Sequence, residues 1–153
     1  MIRSFDVIQR LAGKTLATAE SLTGGAIGAA LTAVPGSSAV YKGGIVSYTD
    51  EIKRNVLGVS GDLLEKHGAV SEPVAGQMVS GVRRIIDADI AISVTGLAGP
   101  GGDSYGNPVG TVFIGYEDAL RHVVNRYRFE GDREAVRRQT LETALELILQ
   151  YNV

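Results

Sequence analysis

Ile90-Ala91-Ile92-Ser93-Val94 is a short, continuous apolar run that opens onto the most glycine-dense stretch of the chain, Thr95 to Asp103. A strand with one wet face would alternate apolar and polar residues, so an unbroken run of this length predicts a central strand covered on both faces. Such a strand requires helices above and below a sheet, which restricts the chain to an α/β architecture. Ligands of open α/β sheets bind outside the carboxyl ends of the strands, which makes Thr95, Gly96 and Gly99 candidate binding residues.

The flanking sequence supplies the helices. Phe5, Ile8, Leu11 and Ala12 recur at helical spacing before Gly13 and predict a helix over 2–12. A strand is expected over 14–20, then a polar, glycine-rich turn and a close-packed helix over 26–34 that Pro35 ends. Gly44 to Tyr48 has the Ile/Val content of a buried strand, and Asp50 is placed to cap the helix carrying Ile52, Lys53, Val56 and Leu57. Ser60 caps a short helix through Leu64, and Ser71-Glu72-Pro73 starts a long one. Residues 109–116 and 123–129 read as a hairpin whose second strand lies near an edge. Asp132 caps a last helix with Val136, Thr140, Ala144, Ile148 and Tyr151 on one face.

Composition narrows the chemistry. In 153 residues there is no cysteine and there are two histidines, His67 and His122, far apart in sequence, so no thiolate nucleophile and no metal site are expected. Fifteen basic against seventeen acidic residues give no electrostatic footprint for nucleic acid. No apolar run approaches the roughly 20 residues of a membrane span, and no signal core opens the chain. A single domain over 1–153, cytoplasmic and without nucleic-acid or membrane partners, is the expectation.

Small polar residues concentrate at three junctions: the turn from Ala19 to Gly25, the loop Pro35-Gly36-Ser37-Ser38, and Tyr48 to Lys53. The strand–glycine turn–helix order around Thr23-Gly24-Gly25 can face an anion with backbone N–H groups, although such a turn also serves plain strand–helix packing. Arg133 and Arg137 stand one turn apart near a helix start and are phosphate candidates, unless they form a solvated face paired with Glu130 or Glu134. A hydrolytic nucleophile would have to be serine or threonine with lysine as base, an amine that burial can bring toward neutrality. Lys53 can fold back toward Ser38, Lys42 is its rival in sequence, and Tyr48 could hold either member.

Thr18-Ala19-Glu20-Ser21-Leu22-Thr23-Gly24-Gly25, Val34-Pro35-Gly36-Ser37-Ser38-Ala39, Gly44 to Lys53, Leu57-Gly58-Val59, Lys66 to Glu72, Val94 to Gly102, Pro108-Val109-Gly110 and Gly131-Asp132-Arg133 follow one another in an order that resembles the CinA carboxy-terminal domain family over nearly the whole chain. The likeness is to the stand-alone form; longer members carry an additional amino-terminal domain. Leu22 stands where the family commonly has cysteine, and Asp103 to Asn107 is only loosely similar.

The resemblance implies a single three-layer α/β/α sandwich with a mixed central sheet. It implies an amidase that hydrolyses the carboxamide of nicotinamide mononucleotide to nicotinate mononucleotide and ammonia through an acyl-enzyme, with no cofactor, in pyridine nucleotide salvage. Ser38 is expected as nucleophile, Lys53 as base and Tyr48 as their partner. Substrate would be held by Glu20, against the pyridinium, with Ser21, Thr23, Gly24, Gly25, Ser37, Thr95, Gly96, Gly99, Arg133 and Arg137. Oxyanion donors would come from the serine loop or from the loop 95–99. A homodimer or higher homo-oligomer is expected from the frequency of symmetric assemblies. The alternative is a non-catalytic module of the same fold that binds a nucleotide or a partner protein.

Overall fold

The computed structural model describes residues 2–153. The chain runs α1 (Ser4–Arg10), β1 (Leu16–Glu20), α2 (Ala26–Thr32), β2 (Tyr41–Val46), α3 (Asp50–Asn55), α4 (Gly61–His67), α5 (Glu72–Ile86), β3 (Ile90–Gly96), β4 (Thr111–Glu117), β5 (His122–Arg128) and α6 (Arg133–Tyr151). The strands form one mixed sheet in the order β2-β1-β3-β4-β5. β1 is parallel to both β2 and β3, whereas β4 is antiparallel to β3 and to β5. No described helix is long and apolar enough to cross a membrane.

Period-two alternation divides the sheet between its two helical layers. Ile90, Ile92 and Val94 of β3, with Val112, Ile114 and Tyr116 of β4, pack against Val7 of α1 and Leu11 just after it, Ile27 and Leu31 of α2, and the Val136 to Ile148 face of α6. The opposite face is built from small residues: Ala17 and Ala19 of β1 and Ala91 of β3 meet Val74, Met78, Val79 and Val82 of α5. Small side chains let α5 lie close, near enough for Ser93 Oγ to donate to the Ala75 carbonyl at 2.8 Å. β3 is buried from Ile90 to Thr95, as its continuous apolar sequence requires.

Two local expectations change. β2 is an edge strand on which half-buried and exposed residues alternate, so its Ile/Val content serves one face only. Thr49, not Asp50, caps α3: its side chain accepts from the Ile52 N–H, and Asp50 becomes the first helical residue. Ser60 and Asp132 cap α4 and α6 through the N–H groups of Leu63 and Ala135.

The connections determine where a ligand can enter. From β1 the chain crosses to β2 on one side, then returns through α3, α4 and α5 to β3 on the other side of β1. The carboxyl ends of β1 and β3 therefore flank a topological switch point, the place where open α/β sheets leave a crevice.

Candidate active site

Ser21 is the first residue past β1. Its N–H donates to the Val94 carbonyl at 3.1 Å, so its backbone is still held by β3 where the chain begins to turn. Gly24 and Gly25 take φ of 61° and 104°, left-handed values that turn the chain into α2 at little steric cost. On the other flank the Ser47 N–H bonds the Glu20 carbonyl at 2.8 Å, which carries the β1–β2 register one residue beyond the strand. The chain then leaves through Tyr48, and the first turn of α3 sends Lys53 back beneath β1.

The Lys53 amine donates to Ser21 Oγ at 2.9 Å and to the Ser47 carbonyl at 2.8 Å. Lys53 is only 1% exposed. Burial lowers its pKa to about 8, against the smaller opposing pull of the Asp50 charge. An amine with that pKa is neutral in about one molecule in ten at pH 7, against fewer than one in a thousand for an ordinary lysine. A buried hydroxyl beside an amine that can be neutral is the arrangement a nucleophile and its base require.

Ser38 is not the partner of Lys53. Ser37 and Ser38 lie in a 3-10 turn before β2, whereas Lys53 follows β2, so the strand separates them. At about 3.3 Å per residue, six strand residues hold the serine loop roughly 20 Å from the amine. Ser38 is exposed, Ser37 is buried in the turn, and neither lines the pocket around Lys53. A parallel crossover places the two ends of β2 at opposite ends of the sheet, so closeness in sequence does not become closeness in space. Lys42 points elsewhere, donating to the Asp87 carbonyl at 2.9 Å.

Tyr48 does not hold the pair either. Its ring is 57% exposed, and its hydroxyl accepts from Arg133 Nη2 at 2.9 Å. The Ser47 carbonyl does that work, because it fixes one Nζ–H and thereby aims the rest of the amine at Ser21.

Glu20 also has a different role from the one expected. Its carboxylate is 2% exposed and accepts from Thr23 Oγ1 at 2.7 Å, from the Ile27 and Gly28 N–H groups at 2.9 Å each, and from Thr18 Oγ1 at 3.4 Å. The start of α2, read from sequence as an anion cradle at Thr23-Gly24-Gly25, is thus filled by the protein's own carboxylate. Arg137 is likewise engaged, with Nε on the Leu22 carbonyl at 3.0 Å and Nη2 on the Thr23 carbonyl at 3.2 Å. It staples α6 to the turn that follows Ser21.

Arg133 faces a pocket of about 360 Å³ whose floor is Ser21 and Lys53 and whose rim carries Tyr48 and Asp50. Its Nη1 donates to the Gly99 carbonyl at 2.8 Å, tying α6 to the loop after β3. Thr95, Gly96 and Gly99 line the far wall, and the Thr95 hydroxyl donates to the Ala69 carbonyl at 2.9 Å. Leu22, Val70, Leu97 and Ala98 add apolar surface to the lining. Ser47 and Asp50 were not legible as site residues, since one acts through its backbone and the other reads as a cap. Ser21 carried a signal, a serine at the exact end of a strand on a glycine turn, but no sequence-near lysine drew attention to it. Among the described residues no group of three or more acidic or histidine side chains is placed to hold a metal ion.

The CinA C-terminal domain model matches residues 5–152. A CinA-like protein from a Sulfurihydrogenibium species is 49% identical over 138 residues, which are 90% of this chain and 34% of that protein. A CinA-like protein from Thermotoga maritima is 45% identical over the same share of each. The chain thus spans about a third of the length of these curated relatives. A competence-damaged protein (CinA) superfamily structure from Escherichia coli superposes with a TM-score of 0.94 at 37% identity, covering 97% of this chain and 87% of that one. A competence/damage inducible protein from Agrobacterium tumefaciens gives 0.94 at 39% identity, covering 98% and 93%.

Proposed function

The chain belongs to the CinA C-terminal domain family, and from that membership together with the buried Ser21–Lys53 contact we propose that it is a nicotinamide-nucleotide amidase. The contact carries the proposal. Enclosing a lysine amine costs stability, and an amine brought toward neutrality beside a serine hydroxyl in a pocket is the combination by which catalytic sites are recognised.

In this reading Ser21 Oγ attacks the carboxamide carbon while the neutral Lys53 amine takes the hydroxyl proton. The resulting ammonium returns that proton to the amide nitrogen as the C–N bond breaks, so ammonia leaves and an ester to Ser21 remains. Water then attacks the ester, Lys53 accepts its proton, and the Ser21 oxygen departs with a proton from Lys53. The Ser47 carbonyl keeps the amine aligned throughout. The loop after β3 borders the pocket and the serine loop before β2 does not, which favours the loop after β3 as the source of oxyanion donors.

Ammonia release from nicotinamide mononucleotide by the purified protein tests the assignment, and no release above a heat-denatured control overturns it. The base gives a pH signature. Because the working form is the neutral amine, kcat/KM is expected to rise tenfold per pH unit below about 8 and to level above it. A profile flat from pH 6 to 9 would remove Lys53 from the base role.

Among the described residues Arg133 is the one guanidinium on the pocket lining, whereas Arg137 lies off it with two carbonyls, so the substrate phosphate is assigned to the donors Arg133 has left beyond Gly99 and Tyr48. Arg133→Ala is expected to raise KM by about tenfold or more, the worth of a hydrogen bond to a charged group, with a smaller fall in kcat. An unchanged KM in steady-state assays would return the phosphate to another group.

A further inference from the structure

Among the described residues, Asp50 is the only carboxylate on the pocket lining. Thr49 already caps α3, and among the described residues no donor hydrogen-bonds the Asp50 side chain, so its first-turn charge can favour the helix N-terminus without committing its oxygens to any protein partner. It precedes Lys53 by three residues, so both project from one face of α3. Its charge is also a disadvantage to the base, since it favours the protonated amine that cannot accept a proton. A negative charge that opposes the base yet faces the pocket calls for a reason in the ligand.

The other charges around the pocket show what that reason is. The Glu20 carboxylate, expected from sequence to face a cationic ring, is enclosed by Thr23 and the start of α2 and cannot reach a ligand. Besides the buried Lys53, the lining carries one positive side chain, Arg133, and one negative, Asp50, with Leu22, Val70, Leu97 and Ala98 among the apolar surface the pocket also presents. That pattern fits a dipolar ligand with an anionic group, a flat ring and a positive charge on the ring. We propose that Asp50 is the specificity-determining residue of this pocket, selecting carboxamides carried on a cationic heteroaromatic ring over the same amide on a neutral ring. The inference rests on the amidase reading for its chemistry, but it makes a separate claim about charge.

Nicotinamide mononucleotide and its 1,4-dihydro form test it, because the two share ribose, phosphate and carboxamide and differ in ring charge. For Asp50→Asn, kcat/KM on the cationic ring is expected to fall about tenfold, as loss of a nearby opposite charge in a partly wet pocket implies, and to stay within about twofold on the neutral ring. Any change in the basicity of Lys53 acts on both substrates and cancels in the ratio. Asp50→Glu is expected to restore the preference, and thermal melts check that both variants fold. The ratio of calorimetric Kd values for the two nucleotides is measured in parallel and is expected to collapse toward one in Asp50→Asn. Equal losses on both rings, or no loss on either, overturn the role of Asp50. Ammonia release from neither nucleotide by the wild-type protein overturns the amidase reading, and the Kd ratio then decides the claim about charge by itself.

Discussion

Ser21→Ala is expected to lower ammonia release from nicotinamide mononucleotide by at least about a thousandfold, and Lys53→Met by a similar factor, while Ser38→Ala stays within about twofold of wild type. The magnitudes follow from removing a nucleophile or its base from a unit whose members act together, which also makes the double variant Ser21→Ala/Lys53→Met little worse than either single one. The contrast with Ser38 is the decisive part, because both serines sit in small-residue loops and only one lies 2.9 Å from the buried amine. Lys53→Met has a second consequence. It replaces a buried, partly charged group by an apolar one of similar length, so the variant should fold at least as stably as wild type while being inactive. An active Ser21→Ala protein, or an inactive Ser38→Ala protein with a normal melting curve, would sink the assignment.

Glu20→Ala is expected to cost about 3–5 kcal/mol of folding stability in urea titrations. The variant leaves the Ile27 and Gly28 N–H groups and the Thr23 hydroxyl without their acceptor in the interior, and each bond to a carboxylate contributes about 1.5–3 kcal/mol when lost alone. Glu20→Gln keeps one carbonyl oxygen but turns an NH2 toward backbone donors, so an intermediate loss is expected. The position belongs to stability first: activity should fall in step with the folded fraction, since Glu20 adjoins Ser21 without touching the pocket. A change below about 0.5 kcal/mol in Glu20→Ala would mean that water readily replaces the carboxylate.

The layers were legible because they depend on local pattern. Ile90 to Val94 could only be a doubly covered strand, and the last helix announced itself through Val136, Thr140, Ala144 and Ile148. The edge position of β2 was not, because Ile45 and Val46 read the same whether one face or two are covered. The site was half legible. Lys53 was readable as a candidate base because the alternatives were few, but the serine it meets was not, since both sequence proximity and the motif resemblance pointed to Ser38. Ser38 is 15 residues from Lys53 and Ser21 is 32, yet the parallel β1–β2 crossover brings the farther one into contact. Glu20 and Arg137 misled for a related reason: both carry the charge a ligand would want, and both are satisfied by backbone groups that only tertiary structure brings to them.

The two clamps from α6 place a condition on when the pocket exists. Serine and lysine both lie within the first 53 residues, but the turn beside the serine and the loop opposite are tied down by guanidinium groups arriving eighty or more residues after Lys53, from the far end of the sequence. A nascent chain still short of residues 133–151 has both reactive side chains and no closed vessel around them. The pocket is therefore complete only once the final helix has docked and its two arginines have closed on these backbone carbonyls.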